Sequence, residues 1–144
     1  MSMSEAFMNG VLRAHRALYV TSKGFLGHRI LGVPCLILET KGRRSGLIRS
    51  TPLVYVRDGR AFILVASNGG SDTGPTWLGN VVADNEVGLR IGRKRLKGRA
   101  RIIDRSDADY ARYWSLVNAN NHGRYDGYQS RTKRPIPLVV VNAA

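Results

Sequence analysis

Between residues 40 and 77 the chain carries a set of groups suited to holding an anion. A glycine-bounded basic turn, Gly42-Arg43-Arg44-Ser45-Gly46, is followed by Arg49-Ser50-Thr51-Pro52, then by Ala66-Ser67-Asn68-Gly69-Gly70, and then by Pro75-Thr76-Trp77. Glycines let the backbone approach a ligand and expose its N–H groups, and arginines supply fixed positive charge. Pro75 with Trp77 reads as the opening of a helix, whose first turn adds partial positive charge. If residues 40–52 form two adjacent strands, Arg44, Ser45 and Arg49 converge near one end, and the tip at residues 67–70 can serve the same site. Taken alone, the turn at 42–46 is an ordinary basic hairpin loop. Two glycine-containing loops with these arginines make a cradle for a phosphorylated ligand.

Other chemistries lack their residues. His15, His28 and His122 have no Cys or carboxylate spacing that would make a zinc or iron site, and His122 reads as a solvated surface residue. There is no phosphate-binding P-loop, nucleophile elbow or dinucleotide glycine fingerprint, and no carboxylate pair stands apart from turn and cap positions. A chain so poor in acid–base and nucleophilic groups can borrow its reactivity from a cofactor that it binds, orients and shields. The single cysteine, Cys35, sits between Pro34 and the apolar run Leu36-Ile37-Leu38, where it reads as a buried inert thiol in a reducing cytoplasm.

The elements that must position these residues are short. At 144 residues the chain is read as one domain, 1–144, able to bury roughly two thirds of its unfolded surface. Residues 5–20 carry Phe7, Met8, Val11, Leu12, Leu18 and Tyr19 at helical spacing, which predicts an amphipathic helix. Residues 21–32 read as a basic, glycine-containing loop. Aliphatic and β-branched runs at 35–39, 50–56 and 60–66 predict strands, with Asp58-Gly59 as a hairpin turn. A helix is expected at 75–82. Strands at 86–91 and 93–103 follow around Gly92, then a helix from an N-cap at Ser106 through residue 117, and a last strand at 136–141. About six antiparallel strands with segregated flanking helices imply an α+β architecture, with a closed or split barrel to manage the edges.

Charge points to anionic partners without choosing one. Lys and Arg number 23 against 10 Asp and Glu, a net charge of +13. Period two places Arg93, Arg95, Lys97, Arg99 and Arg101 on one strand face, which fits a solvated edge strand that resists aggregation, or a surface for an extended anionic cofactor tail, an acidic membrane or nucleic acid. No nucleic-acid reader motif accompanies the charge, so specific nucleic-acid binding is not expected. No secretory signal is read at the start, and the apolar runs at 63–66 and 138–141 fall far short of the about 20 residues that span a bilayer. The expectation is a cytoplasmic protein, with peripheral contact at the inner membrane face through the N-terminal helix as a further reading. The sequence shows neither a coiled-coil seam nor a plain apolar patch, and leaves the oligomeric state open.

From about residue 33 onward the chain resembles the deazaflavin-dependent nitroreductase family of split β-barrel oxidoreductases. The resemblance rests on Thr40-Lys41-Gly42-Arg43-Arg44-Ser45-Gly46 with Arg49 and Pro52, on Val65-Ala66-Ser67-Asn68-Gly69-Gly70, on Pro75-Thr76-Trp77-Leu78 with Asn80, and on Tyr125-Asp126-Gly127-Tyr128-Gln129-Ser130 leading to Ile136-Pro137. It implies coenzyme F-420, a deazaflavin with a phosphodiester and an oligoglutamate tail. By the same resemblance, Arg44 and Arg49 hold phosphate or tail carboxylates with help from Ser45. Thr51, Pro52, Ala66, Ser67, Asn68, Gly69, Pro75, Trp77 and Asn80 line the path toward the ring system. The family commonly has Lys at the positions of Arg44 and Asn68, and Arg43 and Lys41 are the nearest cations able to compensate.

The activity implied is hydride transfer from the reduced deazaflavin to a small-molecule acceptor: an activated C=C bond, a quinone or a nitroaromatic compound. Tyr128, Tyr125 and Ser67 are the candidate catalytic groups, as donors of the accompanying proton. For the two tyrosines, aromatic packing under a loop is the competing assignment. FMN is the second-choice cofactor, since related barrels use it and it too carries a phosphate. A non-catalytic relative that binds lipid or fatty acid at a membrane is the alternative from another functional class.

Overall fold

The computed structural model describes residues 29–30 and 33–143, so the helix expected at 5–20 lies outside the described residues. Eight strands form one antiparallel sheet: β1 (Arg29–Ile30), β2 (Val33–Lys41), β3 (Ile48–Val54), β4 (Val56–Asp58), β5 (Ala61–Val65), β6 (Glu86–Ile91), β7 (Lys94–Ile103) and β8 (Leu138–Ala143). Among the described residues three helices accompany them: α1 (Thr76–Ala83), α2 (Tyr110–Asn120) and α3 (Arg124–Ser130).

Pairing runs β3-β2-β6-β7-β8-β5-β4, with β1 on the first residues of β2. The two ends of this series, β3 and β4, are consecutive in the chain and separated only by Tyr55. The sheet therefore curls until its ends are joined through one residue, which is how a split barrel limits its open edges. At that corner the Tyr55 N–H donates to the Pro34 carbonyl at 3.3 Å. The single strand expected at 50–56 is thus two strands with different partners, β3 on β2 and β4 on β5. That split and the two-residue β1 account for eight strands where six were expected.

Both faces of β5 are covered. Phe62 and Leu64 join Leu36, Leu38, Trp77, Val81, Leu89, Val139 and Val141 inside the curl, while Ala61, Ile63 and Val65 pack with Tyr110, Tyr113, Val117, Tyr125 and Ile136 under α2 and α3. A strand covered on both faces reads as a continuous apolar run, as residues 61–65 do. Each fully buried large side chain, Phe62 or Leu64 among them, stabilises the domain by about 1.5–3 kcal/mol through burial.

Three local expectations are corrected. Ser106 does not cap a helix: its hydroxyl and N–H are both bound by the Asp104 carboxylate, and α2 starts later, after Asp109. The polar stretch before the last strand contains α3, held to α2 by Asp126, which accepts from the Trp114 indole at 2.7 Å and from the Asn118 amide at 2.9 Å. Strand β7 is not an edge, since β6 and β8 flank it. Its charged face is exposed, with Arg99 paired to Glu86 and Arg101 to Asp107 and Asp109. Edge protection is therefore not what that charge does.

Candidate functional site

The first loop is the β2–β3 turn. Its ends are tied by Gly42 N–H to the Leu47 carbonyl at 2.7 Å and Gly46 N–H to the Gly42 carbonyl at 2.8 Å. Glycine fits residue 42 without rearrangement, whereas a Cβ there would stand 2.7 Å from the Ser45 hydroxyl and 3.1 Å from the Leu47 carbonyl oxygen. That hydroxyl accepts from the Leu47 N–H at 3.2 Å and from the Arg49 guanidinium at 3.4 Å, so Ser45 and Arg49 do meet as read from the sequence. Cross-strand pairing sets Arg49 opposite Thr40 and Thr51 opposite Leu38, on the inner face. Pro52 stands opposite Ile37 on the other face, so strand alternation takes its ring away from the site that Thr51 joins.

Arg43 and Asn80 take a structural part that the sequence reading did not assign. The Arg43 guanidinium lies over Gly79, where any side chain would strike it, and donates to the Thr76 carbonyl at 3.3 Å. Asn80, buried, accepts from the Arg43 N–H at 3.1 Å and donates to the buried Thr40 hydroxyl at 3.3 Å. These bonds fix the basic loop to α1. Replacing Asn80 with Ala strands two of its partners and should cost about 1–3 kcal/mol. Denaturant melts of N80A against N80D, which keeps the acceptor for Arg43 N–H, check this; equal stability of N80A and the parent chain would refute the clamp.

Arg44, Ser45, Arg49, Thr51, Thr76, Trp77 and Asn80 line one cavity of about 390 Å³, with Gly42, Arg43 and Ser50 completing it. That is within the range of small-ligand pockets. Arg44 and Arg49 are exposed there, beside the first turn of α1, and Trp77 is buried in the core beneath. Positive charge, a helix N-terminus and an aromatic floor together suit an anionic ligand with a flat ring.

The second loop leaves β5 through Ala66, which packs in the same core cluster as Trp77. Ser67 is right-handed helical, and Asn68, Gly69 and Gly70 follow at φ of 45°, 65° and 84°. This right-to-left succession turns consecutive N–H groups to one side as an anion-binding nest. The N–H groups of Ser67, Asn68 and Gly69 donate to no acceptor among the described residues, whereas those of Gly70 and Ser71 are used inside the loop. Asn68 tolerates its left-handed φ and steadies the loop by donating to the Thr73 carbonyl at 2.9 Å. Pro75 precedes α1 with an extended φ and ψ. Ala66, Ser67, Asn68, Gly69 and Pro75 therefore lie along the chain path into α1, outside the cavity lining itself.

The tyrosines approach from the far side of this loop. Gly70 touches the Tyr128 backbone so closely that a Cβ would stand 2.5 Å from its carbonyl oxygen. Tyr128 is half-buried, edge-on to Tyr125 at 6.0 Å between ring centroids. Tyr125 is 5% exposed, packed on Trp114, and burial holds its phenol well above the ordinary range, so it keeps its proton. Tyr125 thus takes the packing role, while Tyr128 and the nearly buried Ser67 flank the loop. Cys35 is buried and its thiol is pushed up to about 12, an inert thiol as expected. His122 is exposed. No group of three or more His, Cys, Asp or Glu able to hold a metal occurs among the described residues.

Arg134 was missed altogether. Its Nε donates to the Ser71 carbonyl at 2.8 Å, and its Nη2 to those of Ser67 at 2.8 Å and Ala66 at 3.3 Å. Only its position two residues before Ile136 could have drawn notice in the sequence.

The sequence profile of the F420H2-dependent quinone reductase family matches residues 11–143. A protein of Mycobacterium tuberculosis named F420H2-dependent quinone reductase is 46% identical over 132 residues, covering 91% of this chain and 89% of that protein. A second protein of that organism, named putative F420H2-dependent quinone reductase, is 34% identical over 109 residues, covering 76% of this chain and 89% of its own length. Among solved structures, one titled F420-H2 Dependent Reductase superposes with a TM-score of 0.68 at 32% identity, over 75% of this chain and 93% of that one. More distant likenesses, such as a haem storage protein of Vibrio cholerae at 11% identity and a TM-score of 0.60, show the barrel fold alone and lend no support to FMN.

Proposed function

Because the chain belongs to the F420H2-dependent quinone reductase family, we propose that it is an oxidoreductase that uses reduced coenzyme F-420 to reduce a quinone. The observation that carries this reading is the cavity where Arg44, Ser45 and Arg49 face the first turn of α1, with the open N–H groups of residues 67–69 on the neighbouring loop. These groups fit the cofactor: guanidinium forks able to grip oxyanions in pairs would hold its anionic tail, and the open N–H donors would suit its polar oxygens. When bound, the reduced deazaflavin supplies a hydride.

The chain's own residues do the rest. Arg44 and Arg49 bind and orient, Trp77 gives an apolar floor, and the Thr40–Asn80–Arg43 bonds keep the loop in place. A quinone that accepts a hydride also needs one proton to reach the hydroquinone. Tyr128 carries a phenol that no other described residue engages by hydrogen bond, and it stands against the loop that holds the N–H nest, so Tyr128 is assigned the donor role, with Ser67 next. Activated alkenes and nitroaromatics are weaker acceptors in this reading. A quinone dissolves in lipid, which suits a cytoplasmic enzyme of net charge +13 working at an acidic inner membrane face.

Anaerobic turnover with reduced coenzyme F-420 and a panel of a menaquinone analogue, a nitroaromatic and an activated enone tests this. The quinone should show the highest kcat/KM. Consumption of the cofactor with the nitroaromatic or enone but not the quinone would overturn the acceptor assignment.

A further inference from the structure

We propose that Arg134 is a positioning residue that makes the loop at 66–71 and the tyrosine-bearing segment at 124–134 one mechanical unit. The assignment of a deazaflavin to that loop rests on the function proposed above; the geometry of Arg134 does not. An arginine in a folded domain ordinarily meets a carboxylate or water. Arg134 is half-buried, pairs with no carboxylate among the described residues, and spends its donors on the carbonyls of Ala66, Ser67 and Ser71. Those three oxygens bracket the stretch whose N–H groups form the open nest.

A guanidinium is the side chain that can do this. Its planar fork reaches several acceptors at fixed spacing, and each charge-assisted bond is stronger than a neutral one. By drawing the carbonyls of Ala66 and Ser67 to one side, it turns the opposite side of the same two peptides, the N–H groups of Ser67 and Asn68, outward together. Its charge also stays close behind the nest, favouring an anion or a polar oxygen in front of it.

Arg134 is itself held. Its N–H donates to the Thr132 hydroxyl at 3.2 Å, its carbonyl accepts from the Gln129 amide at 2.9 Å, and the Gln129 side-chain oxygen accepts from the Ile136 N–H at 3.0 Å. Gln129 lies in α3 beside Tyr128. Two further bonds run parallel: Thr132 hydroxyl to Asp72 at 2.7 Å and Arg131 to the Gly69 carbonyl at 3.5 Å. The close contact of Gly70 with the Tyr128 backbone completes the unit. The loop and the Tyr128 backbone are thereby held in a fixed relation to each other.

Arg134→Gln and Arg134→Lys decide this by amide hydrogen exchange of the cofactor-free protein, with deazaflavin affinity measured beside it and Arg49→Ala as a control. In R134Q, exchange at the hydrogen-bonded amides of this loop, Ala66, Gly70 and Ser71, should rise at least about tenfold while strands 61–65 and 138–143 stay protected, and the Kd for oxidised coenzyme F-420 should rise about tenfold. R134K keeps the charge but not the fork, and should fall between R134Q and the parent. If R134Q does not fold, R134K is read by the same exchange criterion. Unchanged exchange at 66–71, or an equal rise across the whole barrel, would overturn the proposal. A parent chain that binds no deazaflavin would sink the functional reading, while the exchange result would still decide the role of Arg134.

Discussion

Arg49→Ala is expected to weaken binding of oxidised coenzyme F-420 by about ten- to a hundredfold while leaving the domain folded. The side chain is exposed, lines the cavity and, among the described residues, bonds only to the Ser45 hydroxyl at a long 3.4 Å, so its removal opens no core and orphans no buried group there. What is lost is a charge-assisted contact to an anion, worth about 1.5–3 kcal/mol, or roughly one to two powers of ten in Kd. Arg43→Ala makes the useful contrast. Arg43 is tied to the Thr76 carbonyl and lies over Gly79, so its loss should lower the thermal midpoint as well as affinity. Fluorescence titration at physiological salt with melts of both variants separates the two. An R49A protein with unchanged affinity would remove Arg49 from the binding site.

Gly70→Ala should be the most damaging single methyl in the chain's second loop. Its φ is +84°, a conformation that costs a residue with a side chain about 1–3 kcal/mol. The added Cβ would also stand 2.5 Å from the Tyr128 carbonyl oxygen and 3.0 Å from its Cα, and backbone cannot rotate out of the way as a side chain can. The combined effect should be about 3 kcal/mol, a fall of roughly 6–12 °C in Tm, with turnover lost because the loop and α3 are pushed apart. Gly46→Ala isolates the backbone term: its φ is +73°, yet a Cβ there meets nothing within 4 Å. G46A should lose only about 1 kcal/mol. If G70A were no worse than G46A, the contact between the second loop and the tyrosine helix would not matter.

These two positions also show what could be read in the residues before the fold was known. The glycine-bracketed basic turn, the Asp58-Gly59 hairpin and the apolar runs at 35–39 and 60–66 carry local signals, and each corresponds to an element that formed. The corner at Tyr55 carried none, because a switch of strand partner is decided by how far the sheet curls. Alternation likewise identifies an exposed face on β7 but cannot say whether a strand is at the edge or in the middle, which depends on partners distant in sequence. Helix α3 was hidden for a related reason. Its helical state is fixed by Asp126 binding Trp114 and Asn118 across α2, and not by an apolar stripe.

Within the site, side-chain type was legible and direction less so. Arg44, Ser45, Arg49 and Thr51 converge on one cavity as expected, whereas Pro52 faces away because it is one residue out of phase. Tyr125 and Tyr128 differ in burial although they stand three residues apart on one helix. Arg134 acts on backbone carbonyls more than 60 residues earlier in the chain, a relation with no pattern in the linear sequence.

The most direct test of the whole account is a parallel titration of the purified protein with oxidised coenzyme F-420 and with FMN, following cofactor fluorescence at physiological salt. Saturable binding of the deazaflavin, weakened by raised salt because arginines hold its anionic tail, with FMN at least about tenfold weaker, is the predicted result. Equal or tighter binding of FMN, or no saturable binding of the deazaflavin, would contradict it.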